Sequence, residues 1–398
     1  MTQTQSTKVK TLEEFFGAEG LLAQMFTTLL EELLEAELSE HLGYERYEAK
    51  GRNSGNSRNG HTSKRVKSRV GDTKIQVPRD RAGTFDPQVL KKYQGRSEEL
   101  EEQIIGFYSR GLSQRDIQES LVEMYGIEVS PEYISKITDK VWSQVEAWQT
   151  RPLQSHYPII YLDAMFLPIR QEGRVRNTPV YNVLAIDLDG KCDVLGHWIG
   201  DGGEGANFWL TVITELQQRG VEDIFIACVD GLQGFGEAIQ AVFPQAIVQQ
   251  CVIHAIRHAS RYVARKELRA FLRDLKLVYQ APTRDDAERN LQHLAQRWQE
   301  KYPLAIRSWQ NRWHELSAFF DFPQPIRQLI YTTNRIEAYH RQLRRVTKNK
   351  SALPTPKSAR KLLFLATRRF LKKSYGTTPY WGTILNQLAI RFDGRFPL

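Results

Sequence analysis

A mixed α/β sheet, preceded and interrupted by all-helical regions, is the fold class that the sequence predicts. Three observations carry it. Between residues 157 and 268, short apolar runs and amphipathic runs follow the order three strands, helix, strand, helix, strand, helix, which gives a sheet with an antiparallel meander at one edge. Residues 98–145 and 270–328 have helical spacing instead, the latter rich in Trp and Arg. With 41% hydrophobic and 25% charged residues over 398 positions, the chain buries a large core in two or three domains. That composition excludes wholesale disorder and a disulfide scaffold.

The elements follow in order. Leu21, Leu22, Met25, Phe26, Leu29, Leu30, Leu33 and Leu34 recur at three-to-four spacing, which predicts a helix over 11–42 with Glu on its other face. Residues 46–64 are rich in Gly, Asn, Ser and Arg without periodicity and read as a loop or flexible arm. A short strand pair is expected over 65–70 and 73–77, turned at Gly71-Asp72 and stopped by Pro78. Three helical segments fill 98–145. Ser113 and Asp116 have capping-box spacing, the chain breaks at Tyr125-Gly126, and Ser130-Pro131 starts the next helix. Helix, short turn, helix is a helix-turn-helix pattern. Strands are expected over 157–169, 179–186, 193–199, 223–229 and 246–249, and helices over 204–219, 233–242 and 252–268. A helix beginning near Ile336 and a final basic helix over 357–373 flank a Pro-containing break at 353–356.

The net charge of +9 is unevenly spread. Residues 1–45 hold two Lys and nine Glu, residues 46–96 fourteen Lys and Arg against four acids, and residues 331–375 thirteen Lys and Arg with Glu337 as the single acid. Two concentrated basic stretches far apart in sequence suit a polyanion-binding surface. No run reaches the ~20 apolar residues of a membrane helix, and three cysteines fit a reducing compartment, so a cytoplasmic protein without a membrane partner is expected.

Asp163 ends the run Ile159-Ile160-Tyr161-Leu162, and Asp230 ends Ile226-Ala227-Cys228-Val229. An acid emerging from an apolar strand costs desolvation energy unless a cation or hydrogen bonds compensate. Each Asp alone fits a turn cap; as a pair on one sheet they favour hard divalent ions, Mg²⁺ or Mn²⁺. Asp187, Asp189, Asp193, Asp201 and Asp223 read as turn chemistry. Glu337 fits a capping box with Asn334, and equally a third carboxylate among DNA-binding cations. Cys251 and His254 form a Cys-x2-His pair without a second pair for zinc, and read as packing or supporting residues.

At these residues the chain resembles a known family, the prokaryotic mutator-type insertion-sequence transposases with an Asp-Asp-Glu triad. The strings that carry the likeness are RNG and VPRDRAGTF within 58–85, GLSQRDIQESLVEMYG and SPEYISKITDKV within 111–141, YLDAMF at 161–166, VDGLQGFGEAI at 229–239, QCVIH at 250–254 and YTTNRIEAYHRQLR at 331–344. The resemblance implies a ribonuclease-H-like core with an all-helical insertion between the second Asp and the Glu. It places the catalytic and metal-binding triad on Asp163, Asp230 and Glu337, with two ions, and the Cys-x2-His element on Cys251 and His254. The residues around Glu337 depart from the pattern of many relatives, while Asn334 and Glu337 are retained.

The resulting organisation is an amphipathic helical region (1–45), a basic arm with short strands (46–97), a helix-turn-helix DNA-binding domain (98–150), the first part of the core (151–268), the insertion (269–330), the Glu-bearing helix (331–350) and a basic helical region (351–398). The expected activity is binding of terminal inverted repeats, metal-dependent phosphodiester cleavage and strand transfer. Arg58, Lys64, Arg65, Lys67 and Arg69 on the arm and Arg341, Arg344, Arg345, Lys348 and Lys350 near the Glu would meet DNA phosphates. A homodimer is expected, with the leucine stripe of 21–34 as a candidate contact. Trp309 or Trp313 either stacks on an unpaired base or packs the core. The rival readings are a metal-dependent nuclease on the same core and an inactive DNA-binding derivative.

Overall fold

The computed structural model describes residues 20–51, 54–68, 71–90, 98–200, 205–232, 234–348, 350–373 and 377–396. The chain divides into two compact units, Met1–Val141 and Trp142–Leu398, so the division falls inside the expected 98–150 region.

In the first unit, helix α1 (Leu21–Leu42) follows the leucine spacing, buries Ala23, Leu34 and Leu38, and ends at Gly43 in the left-handed conformation. Residues 11–19 of the expected helix lie outside the described residues. Strands β1 (Arg58–Ser68) and β2 (Gly71–Asp80) form an antiparallel hairpin. This corrects two expectations. The second half of the expected arm is strand, and Pro78 does not stop the pairing but sits opposite His61. In a two-stranded sheet every strand is an edge, where a residue without an N–H is tolerated. The last pair is Ser68 with Gly71, so Gly71-Asp72 open β2 and the turn residues 69–70 lie outside the described set. Leu34, Val66, Ile75 and Leu90 make one core with Leu30 and Val77 against it. The acids of α1 meet the basic hairpin: Glu31 accepts from the Gln76 N–H, and Glu35 lies 2.7 Å from His61 Nε2.

Helices α2 (Glu98–Ser109), α3 (Gln114–Tyr125) and α4 (Pro131–Asp139) pack on one another. Their boundaries are those the cap signals require. Ser113 and Asp116 form the reciprocal capping box, Gly126 caps α3 at φ 63°, and Ser130 caps α4 with Pro131 at its first position.

The second unit begins with α5 (Trp142–Gln149), a fourth helix where three were expected over 98–145. Its five-stranded sheet contains β3 (His156–Gln171), β4 (Arg174–Ile186), β5 (Cys192–Ile199), β6 (Asp223–Val229) and β7 (Ile247–Gln250), in the order β5-β4-β3-β6-β7. The β3–β4–β5 meander is antiparallel, whereas β6 and β7 run parallel to β3. β3 and β4 outrun their expected ends because Glu172 and Gly173, both at positive φ, make a tight hairpin turn.

Helices α6 (Ala206–Gln218) and α7 (Phe235–Val242) cover one sheet face, burying Trp209, Ile213, Leu216, Phe235 and Ile239 against Ile160, Leu162, Val183, Ala227 and Val229. Alternation then turns Tyr161 and Asp163 to the opposite face. The expected helix 252–268 is two helices, α8 (Val252–Ser260) and α9 (Arg265–Tyr279). No Gly or Pro marks the break, which is a tight turn closed by Tyr262 N–H to Ala259 O and Val263 N–H to Ser260 O.

Helices α10 (Arg284–Trp298), α11 (Pro303–Gln310), α12 (Trp313–Ser317) and α13 (Gln324–Ile330) complete the helical stretch expected between the second Asp and the Glu. Then come α14 (Asn334–Thr347), α15 (Pro356–Lys373) and α16 (Trp381–Arg391). α14 packs on β3, and α15 on β3, β5 and α5. The Trp381 indole donates to Leu188 O across the β4–β5 turn. Gly190 has φ 78° there, and a Cβ on it would meet the Trp381 ring at 2.4 Å, so only glycine fits.

Two outcomes test these packing arguments. Trp209 is wholly buried between Tyr181 and Phe235, so Trp209→Ala should lower unfolding free energy by about 3–5 kcal/mol in urea titration. Burial pushes the Asp80 carboxyl up, but hydrogen bonds from Asn56, Thr84 and the Phe85 N–H outweigh it and hold it far below the carboxylate range. A pKa depressed on folding stabilises above the unfolded value of about 3.9. The melting temperature should therefore fall as pH drops below about 4, and Asp80→Asn should flatten that slope.

Candidate active site

Asp163 and Asp230 are brought together by strand register. Leu162 pairs with Val229 in the parallel β3–β6 ladder, so the residue after each is an aspartate at the same level of the sheet. Asp163 is 8% exposed within β3, with Asn182 its cross-strand partner on β4. Asp230 follows the last residue of β6, and its Oδ1 accepts the Leu232 N–H at 3.2 Å. The turn-cap role open to Asp230 in the sequence is thus present. Burial nevertheless raises its carboxyl pKa, against the opposing pull of that hydrogen bond, His254 and Arg312.

The β7–α8 junction ties Glu337 to this level. The Cys251 N–H donates to Val229 O beside Asp230, while the Val252 N–H donates to Tyr331 O and the Thr333 hydroxyl to Cys251 Sγ at 3.2 Å. One pair of adjacent residues therefore grips both the end of β6 and the lead-in to α14. The expected capping box there is corrected. Asn334 is the first helical residue rather than the cap, and Thr333 is the cap, its hydroxyl turned to Cys251 rather than to the helix's own N–H groups. Glu337 is left out of capping, and its carboxylate receives Arg257 Nη1 at 3.0 Å with His254 Nε2 at 3.9 Å.

His254 stands among all three acids. Its pKa is raised, chiefly by the neighbouring Cys251 sulfur, against burial, and further by the charges of Asp163 and Asp230. Burial raises the Cys251 thiol, but His254 outweighs it and brings the thiol below its ordinary value. Where the acids gather, positive charge in this structure thus comes from an imidazolium and a guanidinium. The donors suit a hard cation in kind, being carboxylate oxygens. As placed, no three His, Cys, Asp or Glu among the described residues are arranged to hold a metal ion.

Two histidines not singled out in the sequence lie behind the acids. His340, 2% exposed on α14, has Nδ1 3.4 Å from Asp163 Oδ2 and Nε2 3.1 Å from Asn182 Nδ2. Burial, then Arg344 and His254, hold it neutral with a pKa pushed down to about 3. His197 on β5 bonds to Tyr339 Oη and Thr367 Oγ1, joining β5, α14 and α15. Tyr339 and His340 are both buried on α14, with polar partners on other elements. A cavity of about 440 Å³ opens beside Asp230, lined by Gln250, His254, Arg257, His258, Arg261 and Arg312 among others.

The profile of the transposase Mutator family matches residues 1–373. The chain belongs to the Mutator family of transposases. It is 43% identical over 387 residues to the transposase for insertion sequence element ISRM3 of Rhizobium meliloti (strain 1021), covering 96% of this chain and 95% of that one. A probable insertion-sequence transposase of Corynebacterium diphtheriae is 39% identical over 340 residues, covering 80% and 99%. The transposase for element IS905 of Lactococcus lactis is 32% identical over 383 residues, covering 96% of each.

The remaining expected site residues of this Mutator-family chain fall into three groups. Arg341, Arg344, Arg345 and Lys348 are exposed on or just after α14, Lys350 is half-buried, and Asn334 is exposed. Lys64 and Arg65 stand on the hairpin, half-buried and exposed. Arg58 is committed within its own unit, donating to Ser39 and Tyr44 O and stacking on the Tyr44 ring. The Lys67 side chain and Arg69 lie outside the described residues, as does Asp201. Trp309 is 1% exposed and packs the helical insertion, while the Trp313 indole donates to Glu288. Asp187, Asp189, Asp193 and Asp223 accept Lys191 N–H, Lys191 Nζ, Arg151 and Arg395 respectively, as turn and pairing chemistry requires. No helix among the described residues is long and apolar enough to cross a membrane.

Proposed function

We propose that this chain is an Asp-Asp-Glu transposase with a ribonuclease-H-like core, which binds the terminal inverted repeats of an insertion sequence, cuts at their ends and joins them to target DNA. The observation that carries this reading is the level placement of Asp163 and Asp230 on neighbouring parallel strands, with Glu337 tied to them through Cys251 and Val252. The strand order β5-β4-β3-β6-β7 and the helical stretch from Val252 to Ile330, between Asp230 and Glu337, support the core. Family membership supports the activity.

Asp163, Asp230 and Glu337 would hold two Mg²⁺ or Mn²⁺ ions, which supply activation of the attacking oxygen and charge for the leaving one. In the first step water attacks the phosphodiester at the element's end, releasing a 3′-hydroxyl and a 5′-phosphate. In the second, that 3′-hydroxyl attacks a target phosphodiester, forming a new P–O bond as the target's 3′-oxygen leaves. Arg257, Arg261 and Arg312, around the cavity beside Asp230, place donors where a phosphate backbone can lie. Arg341, Arg344, Arg345 and Lys348 extend that positive surface along α14. The helix–turn–helix pair α3–α4, with its short turn at Gly126, and the cations of the basic hairpin would read the repeats. Two ends must be held together for joining, so the working form is a dimer.

The test uses duplex DNA from the ends flanking the gene. Asp163→Asn, Asp230→Asn and Glu337→Gln should each lower Mg²⁺-dependent cleavage by more than about 10³-fold, as for a cooperating catalytic set, with DNA binding retained. Full activity in any one removes that residue from the triad. Cleavage without joining of a pre-cut end would favour the nuclease reading.

A further inference from the structure

Glu337 and His340 are one helical turn apart on α14, so they share a face of the helix. Glu337 turns toward His254 and Arg257, whereas His340 reaches the sheet and meets Asp163. A buried imidazole between an amide and a carboxylate can be neutral in either of two tautomers. Here the neighbours decide which. The Asn182 nitrogen donates to Val180 O at 2.8 Å, a bond that the amide oxygen could not make, so the group facing His340 is the NH₂. Nε2 must then accept from Asn182, at 3.1 Å. The ring's one proton sits on Nδ1, 3.4 Å from Asp163 Oδ2.

The chain of bonds closes a loop of structure. Asn182 is the register partner of Asp163 across β3 and β4; one ring on the helix that carries Glu337 is hydrogen-bonded to the first and lies 3.4 Å from the second. Rotation of α14 that moved Glu337 would pull the His340 proton from Asp163, and rotation of the Asp163 carboxylate would strip a buried donor of its partner. Tyr339, the preceding residue, is anchored from the other side by His197 and Thr367. α14 is thus held about its axis by buried polar bonds from two successive residues, His340 to Asn182 and Tyr339 to His197 and Thr367.

We infer that His340 is a positioning residue of the proposed reaction: as the Nδ1–H tautomer set by Asn182, it orients the Asp163 carboxylate and couples it to the helix bearing Glu337. This rests on the transposase reading for its catalytic consequence, but not for its tautomer. Outer groups that orient a ligating side chain are worth roughly 10–100-fold in affinity or rate. The effect belongs in kcat, since the ring touches the acid rather than the DNA.

The experiment has two arms. In the first, the full chain is labelled with ¹⁵N histidine, and the His340 ring signals are assigned by their loss in His340→Phe or, should that variant fail to fold, in His340→Gln. A neutral ring protonated on Nδ1 at pH 7 is expected, shifting toward the Nε2–H form in Asn182→Ala. A wild-type ring protonated on Nε2, or on both nitrogens, overturns the assignment. In the second arm, end-cleavage kinetics are measured. His340→Phe fills the volume without bonds and should lower kcat about 10–100-fold, with KM for DNA within about twofold. His340→Gln, which can donate one N–H, should recover part of kcat. Wild-type kcat in folded His340→Phe, or loss shared equally by kcat and KM, overturns the positioning role. Absence of cleavage by the wild-type chain would instead strike the functional reading, with the tautomer result still deciding the placement.

Discussion

The parallel pairing of β3 with β6 is the constraint on which the rest of the second unit depends. Leu162 and Val229 lie side by side and face α6 and α7, and this burial fixes the register because a slip of one residue would turn both apolar sets to the wrong face. The same register leaves the next residue on each strand, Asp163 and Asp230, at one level of the sheet. Two carboxylates at one level of neighbouring strands repel each other unless positive charge lies nearby. His254 and Arg257 from α8, with Arg312 from the insertion, supply it.

The position of α8 is decided by backbone hydrogen bonding rather than by the charges it carries. Cys251 donates to the end of β6, and Val252 to Tyr331, before the first turn of the helix is complete. A small buried residue is needed where three chain segments meet, and the thiol fits while accepting the Thr333 hydroxyl. This gives the Cys-x2-His spacing a mechanical reading. The cysteine sets the junction, and the histidine three residues on comes round the helix to face the acids. Zinc is not needed to explain either residue.

In the first unit the opposite charges of α1 and the hairpin are brought into contact. Glu31 and Glu35 meet the backbone and side chains of β1 and β2, and Arg58 is drawn back onto Ser39 and Tyr44. A basic stretch in sequence is therefore not all basic surface. Met25, Leu29 and Leu33 remain exposed on α1, the part of the leucine stripe that the local core does not use.

Local chemistry alone determined much of this protein: Ser113, Gly126, Ser130 and Pro131 set helix ends through bonds made within a few residues, and the apolar run over 223–229 could only be a buried strand. Asp163, Asp230 and Glu337 stood out because acids at the ends of apolar strands, or alone among thirteen cations, need an explanation in any fold. Where the signal depended on a distant partner, it failed. Pro78 was tolerable because its strand is an edge, the break between α8 and α9 has no breaker residue, and Thr333 rather than Asn334 caps α14. Only the tertiary structure could decide that His340 meets Asp163 and that Arg58 is held inside its unit. Periodicity reports which face of an element is buried, but a hydrogen bond across 158 positions, or a polar contact across 177, has no trace in spacing.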